Sequence, residues 1–151
     1  MWRIGLARYA AEAWSGEGAR LNGGRWNRPG TRMIYGSSSL SLAALELFVN
    51  LPPEALPPDL IACAATLPDA LIADVGKLPD RWCEDGEATR ELGETWVRQG
   101  TSLGLSVPSA VVPQERNLLV SRVHPDFPSF KALQPVPWRF DPRMFGRGKP
   151  Q

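Results

Sequence analysis

The sequence predicts a mixed α and β fold built on a mostly antiparallel sheet, and three observations carry that prediction. Short stretches with strand character outnumber the two helical ones. The links between consecutive strand stretches are often too short for a crossover helix, which favours an antiparallel or mixed sheet over a doubly wound parallel one. The 15 prolines and 14 glycines place tight connections between short elements. At 151 residues and 43% hydrophobic content, the chain fits one domain with its own core.

In order, Trp2 to Leu6 reads as a first strand holding Arg3. Arg8 to Arg20 is expected as an irregular segment, a mobile loop or a short helix, with a turn at Ser15-Gly16-Glu17-Gly18. A glycine-rich loop, Asn22 to Gly30, follows. Arg32 to Tyr35 alternates as a strand, with Met33 and Tyr35 on one face and Arg32 and Ile34 on the other. One serine of Ser37-Ser38-Ser39 caps a helix from Leu40 to Asn50, which Pro52-Pro53 stops. On that helix Leu40, Ala44, Leu47, Phe48 and Leu51 face the core, while Ser39, Ala43, Glu46 and Asn50 form an adjacent stripe. After the proline-rich link 52–58, Leu60 to Leu67 and Leu71 to Val75 read as strands, with 80–88 as a polar connection. Thr89 to Gly100 reads as a helix with Leu92 and Trp96 inward and Gly100 as its stop. Two apolar pieces around Pro108-Ser109, a strand from Asn117 to Val123 and an edge strand from Trp138 to Asp141 complete the domain, 1–145. Residues 146–151 are expected as a flexible tail.

Charge and composition exclude several function classes. The formal net charge is +1, without the basic excess of a nucleic-acid binder. The apolar run from Leu40 to Leu51 is too short to span a membrane and Glu46 interrupts it, and Met1 to Gly5 lacks a secretion-signal pattern. Cys63 and Cys83 read as reduced thiols of a cytoplasmic protein. Neither has metal-ligand spacing to the single histidine, His124, so no metal is expected.

The stretch Gly23-Gly24-Arg25-Trp26-Asn27-Arg28-Pro29-Gly30 concentrates reactive groups. Glycines let backbone N–H groups approach an anion, and arginines offer a planar fork to phosphate oxygens. No standard phosphate motif is matched. Taken alone, the stretch reads first as a surface turn with solvated arginines and second as an anion-binding loop. Glu46 is a solvated helix carboxylate or, facing a pocket, a group able to stabilise an oxocarbenium-like centre. Tyr35 is a packing residue or a flat face for a heteroaromatic ring. Ser109 lacks a nucleophile-elbow context, which leaves a turn serine or a hydrogen-bond donor. His124 reads as structural.

The order of these blocks resembles a known family. Trp2-Arg3-Ile4, Ser15 to Arg20, Gly23-Gly24-Arg25-Trp26-Asn27, Ile34-Tyr35, Leu42-Ala43-Ala44-Leu45-Glu46, Pro108-Ser109-Ala110 and Glu115-Arg116-Asn117 together are similar to the RES domain, from about Trp2 to Arg143. The resemblance implies an ADP-ribosyltransferase-like domain, with a split, mostly antiparallel sheet around an NAD cleft. It implies a bacterial toxin that degrades NAD by hydrolysis or phosphorolysis, with NAD as substrate, phosphate as a possible co-substrate and no bound cofactor. Arg25, Glu46 and Tyr35 would be the catalytic residues. Arg3, Arg25, Trp26, Asn27, Tyr35, Ser109 and Asn117 would contact NAD. The implied partner is a helix-turn-helix (Xre-like) antitoxin that covers the cleft and carries the operator contact. A protein ADP-ribosyltransferase using the same site, and a non-catalytic interaction domain of the same fold, are the competing readings.

Overall fold

The computed structural model describes residues 1–52 and 57–145. Strand β1 (Trp2–Leu6) and strand β2 (Met33–Ser37) meet at one register pair, Trp2 opposite Ser37. The sheet therefore splits between them. On one wing, β1 pairs along its length with β3 (Leu60–Thr66), whose far side carries the short strands β7 (Lys131–Ala132) and β8 (Val136–Pro137). On the other wing, β2 pairs with β6 (Arg116–Ser121), β6 with β5 (Gly104–Pro108), and β5 with β4 (Ile72–Asp74). The β4–β5 pairing is parallel and the others are antiparallel, as a mixed, mostly antiparallel sheet predicts.

The alternation in β2 does what its pattern implies. Met33 joins Trp26, Trp96, Leu105, Val107 and Leu119 in a core on one face. Ile34 packs with Ala65, Leu103, Val120 and Phe130 on the other.

Between β1 and β2 the chain is more regular than its composition suggests. It forms a 3-10 turn at Ala7–Glu12 and then helix α1 (Glu17–Asn22). Helix α2 (Leu40–Phe48) begins where Ser39 Oγ accepts the Leu42 N–H at 3.1 Å, and it ends before Asn50. Its apolar side packs Ala43, Leu47 and Phe48 with Ile4, Leu60 and Phe140. Trp138 to Asp141 is not a strand. The Trp138 N–H donates to the Leu60 carbonyl at 2.9 Å, and the chain then leaves the sheet so that Trp138 and Phe140 meet edge to face at 4.5 Å beside Phe48.

Helix α3 (Gly86–Gln99) starts three residues earlier than its apolar pattern indicates. Asp85 caps it by accepting the Glu87 and Ala88 N–H groups. Its inward face is Thr89, Gly93 and Trp96, while Leu92 lies at the surface. Gly93 sets that rotation, because a Cβ there would stand 2.0 Å from the Trp26 carbonyl oxygen. Gly100 ends the helix with φ 58°. No helix among the described residues is long and apolar enough to cross a membrane. The proposed tail 146–151 and part of the link, 53–56, lie outside the described residues.

Candidate active site

The split between the wings opens a cleft, and α2 presents Glu46 to it. Ser39, Ala43, Glu46 and Asn50 were expected to share a stripe, and the last three line the cleft wall with Trp2, Arg3, Tyr35 and Asn117. This inner cavity is about 320 Å³. A second one of about 640 Å³ shares Arg3, Tyr35, Glu46 and Asn50, and extends the cleft past Glu17 and Arg25.

The Glu46 carboxylate is half-buried and held from one side. Its Oε1 accepts Ser109 Oγ–H at 2.8 Å and Asn117 Nδ2–H at 2.5 Å. Oε2 has no hydrogen-bond partner among the described residues. The register explains why residues so distant in sequence meet. Asn117 stands opposite Ser37 on β2 and opposite Val107 on β5, which delivers Ser109 just beyond the strand end. Ser37 Oγ donates to Asn117 Oδ1 at 2.8 Å and so fixes the amide that reaches Glu46.

Ser109 is fully buried. Its Oγ accepts the N–H groups of Val111 and Val112 at 3.0 and 2.9 Å while donating to Glu46. It was expected to touch the ligand, but its position makes it the support behind the carboxylate.

The glycine-rich loop is an ordered wall. Tyr35 Oη donates to Asn27 Oδ1 at 2.7 Å and accepts the Trp26 N–H at 3.0 Å. Burial pushes the Tyr35 phenol up to about 12, so it stays protonated and tied to the loop. What Tyr35 offers the cleft is its ring. Gly24 permits this approach, since a Cβ there would lie 2.7 Å from that hydroxyl. Asn27 is fully buried, and its Nδ2 donates to the Ala19, Arg28 and Thr31 carbonyls. Trp26 is a core side chain beside Trp96, with its ring 5.9 Å from that of Trp82. The expectation that Trp26 and Asn27 touch the ligand is therefore corrected: both are buried as parts of the loop's framework.

The arginines separate by role. Arg3, on β1, borders both cavities and donates through Nη1 to the Ala13 carbonyl at 2.7 Å. Burial lowers its pKa, and no carboxylate lies within ion-pair distance among the described residues. Arg25 is exposed at the rim, where Nη1 donates to the Cys83 carbonyl at 2.8 Å. Arg28 is not available as an anion fork, because it pairs with Glu87 and Glu94 of α3. His124 is structural, bonded to the Gly100 carbonyl and the Asp126 N–H.

Four contributors escaped sequence reasoning. Ser37 has a visible signal, two residues beyond Tyr35 on the same strand. Thr89, Gly93 and Glu94 of α3 grip the loop backbone, Thr89 by donating to the Arg25 carbonyl at 2.7 Å and Glu94 by accepting the Arg28 N–H at 2.7 Å. Nothing local marks those contacts.

The RES domain family model matches residues 1–141. The Prs ADP-ribosylating toxin of Sphingobium sp. (strain YBL2) is 38% identical over 152 residues, covering 95% of this chain and 94% of that protein. Toxin Res of Yersinia enterocolitica is 36% identical, covering 95% and 98%. A solved structure, the M. tuberculosis MbcT–MbcA toxin–antitoxin complex, contains a chain with a TM-score of 0.70 at 22% identity, covering 91% of this chain and 82% of that one. At that identity the likeness is one of fold.

Proposed function

We infer that this chain, which belongs to the RES domain family, is the toxin of a toxin–antitoxin pair and acts by cleaving the nicotinamide–ribose bond of NAD. The observation that carries the reading is Glu46. Its carboxylate stands on a cleft wall with one oxygen fixed by Ser109 and Asn117 and the other without a partner among the described residues.

That arrangement suits a reaction that builds positive charge beside it. When the C1′–N bond breaks, its electron pair leaves with nicotinamide, which departs neutral. The positive charge that NAD carried on the ring passes to the sugar as an oxocarbenium-like centre. A preorganised carboxylate stabilises that centre without reorganising at the moment of reaction. Arg3 and Arg25 supply cations for the diphosphate, and the Tyr35 ring a flat surface for nicotinamide. The sugar then takes an oxygen nucleophile at C1′. Water gives ADP-ribose and a proton, whereas inorganic phosphate gives the 1-phosphate ester. No step needs a metal or a covalent enzyme intermediate.

A second reading has its own support. The Sphingobium relative is named a Prs ADP-ribosylating toxin, and in ADP-ribosylation of a protein a target side chain replaces water or phosphate at C1′. The partner we propose is a helix-turn-helix antitoxin that covers the cleft. The test is to incubate the purified chain with NAD, with and without phosphate, and with a cell extract and labelled NAD. Phosphate-dependent nicotinamide release identifies phosphorolysis, and phosphate-independent release identifies hydrolysis. Label transferred to a protein band favours the second reading. No release and no transfer would end both.

A further inference from the structure

A third cavity of about 520 Å³ opens on the far side of Arg3 from Glu46, and we infer that it is an arm of the cleft that takes the adenine ring of the dinucleotide. The inference rests on the NAD reading above and extends it to the half of the substrate that does not react.

The floor of this arm is the β1–β3 ladder. Arg3 stands opposite Cys63 and Gly5 opposite Ile61, so all four lie on one face of the sheet. The 3-10 turn and α1 close it from above with Tyr9, Leu21 and Gly18. Tyr9 and Leu21 are large apolar side chains left 54% and 59% exposed beside a cavity they could fill. Arg3 and Gly18 also line the catalytic cleft, so the two spaces adjoin at these residues.

The two glycines make the arm look built rather than incidental. Neither Gly5 nor Gly18 has positive φ, so the backbone does not require glycine at either place. Glycine weakens a strand such as β1 and is a poor helix former at Gly18 in the first turn of α1. A Cβ at either position would meet nothing within 4 Å. Their missing side chains leave space on the floor and on the roof of one apolar slot, which is the shape a flat ring needs. Arg3 at its inner end is a cation without an ion pair among the described residues. A dinucleotide has its diphosphate between two bases. With the diphosphate at Arg3 and nicotinamide at Glu46, the adenine falls into this arm. Asn22 and Glu12 at the rim supply polar atoms for the ring edge.

The experiment fills the arm. Gly5→Val adds a β-branched side chain suited to a strand and directed into open space, and Gly18→Ala adds a methyl from the roof. Both variants should melt no lower than the parent chain. Nicotinamide release is compared for NAD and for nicotinamide mononucleotide, which lacks the adenylate half. Gly5→Val should lower the ratio of kcat/KM for NAD over the mononucleotide about tenfold, with a smaller effect from Gly18→Ala. Calorimetry with ADP-ribose gives a readout free of turnover, and its affinity should weaken about tenfold in Gly5→Val. If the parent chain cleaves neither compound but binds ADP-ribose with this sensitivity, the adenine arm stands and the NAD-cleaving reading falls. If the parent chain cleaves NAD but Gly5→Val changes both substrates alike, or neither, the adenine arm is wrong.

Discussion

Replacing Glu46 by Gln changes one charge and almost no shape. Gln can keep an Oε1 acceptor for Ser109 Oγ and Asn117 Nδ2, so both contacts, at 2.8 and 2.5 Å, survive as neutral hydrogen bonds. Charge-assisted bonds are roughly twice as strong as neutral ones, so the fold should lose about 1 kcal/mol. The chemical step loses more. A carboxylate about 4 Å from a unit positive charge, at an effective dielectric near 20, contributes about 4 kcal/mol. At about 1.4 kcal/mol per factor of ten, kcat/KM should fall about a thousandfold. NAD already carries a positive charge on the nicotinamide ring, so part of the attraction exists in the ground state. KM should therefore rise, but by less than kcat falls. The assay is steady-state nicotinamide release, with a thermal melt on the same preparation. A folded Gln variant that keeps more than about a tenth of parental kcat would refute the charge argument and return Glu46 to an ordinary helix position.

Ser109→Ala strips Glu46 of one donor and leaves the half-buried Val111 and Val112 N–H groups without their acceptor. It should cost about 2 kcal/mol and lower Tm by about 5 °C, with reduced turnover, and an unchanged melt would contradict the support role. Tyr35→Phe removes the bridge between Trp26 N–H and Asn27 Oδ1 and should cost about 1–3 kcal/mol near neutral pH. Folding raises the Tyr35 pKa to about 12, above the unfolded value near 10. The unfolded chain therefore releases this proton first, and the stability tied to the protonated phenol is lost as pH rises from about 10 to about 12. Urea titrations across that range should show the parent's advantage over Tyr35→Phe shrinking, and a constant gap would count against it. Gly93→Ala would normally gain about 1 kcal/mol in a helix interior. Here the added Cβ meets the Trp26 carbonyl at 2.0 Å, so the variant should lose about 3 kcal/mol, checked by melts and by the near-UV dichroism of the Trp26–Trp82 pair.

Much of this was legible in the sequence because it is local. The β2 alternation, the Ser39 cap, the α2 stripe carrying Glu46 and the Gly100 stop all follow from spacing within a few residues. What stayed hidden depends on register between distant strands or on contact between elements. Nothing near Ser109 announces that the β5–β6 and β2–β6 pairings bring it, Asn117 and Ser37 to one carboxylate. Arg28 resembles its neighbour Arg25 until α3 docks and captures it with carboxylates. Leu92 looked inward because apolar content stood in for rotation, whereas the close approach at Gly93 fixes which side faces the core. The strands β7 and β8 are two residues each, too short for any period to show. The Asp85 cap was readable, as an acidic residue before an amphipathic run with Glu87 in the first turn.

The reaction proposed for the cleft around Glu46 is breakage of the bond between nicotinamide and ribose. The most direct measurement is a proton NMR time course of NAD with the purified, antitoxin-free chain beside its Glu46→Gln variant. With NAD below KM, free-nicotinamide resonances should grow with the parent chain, and about a thousandfold more slowly with the variant. A folded parent chain that leaves NAD intact, with and without phosphate and a protein acceptor, would contradict it.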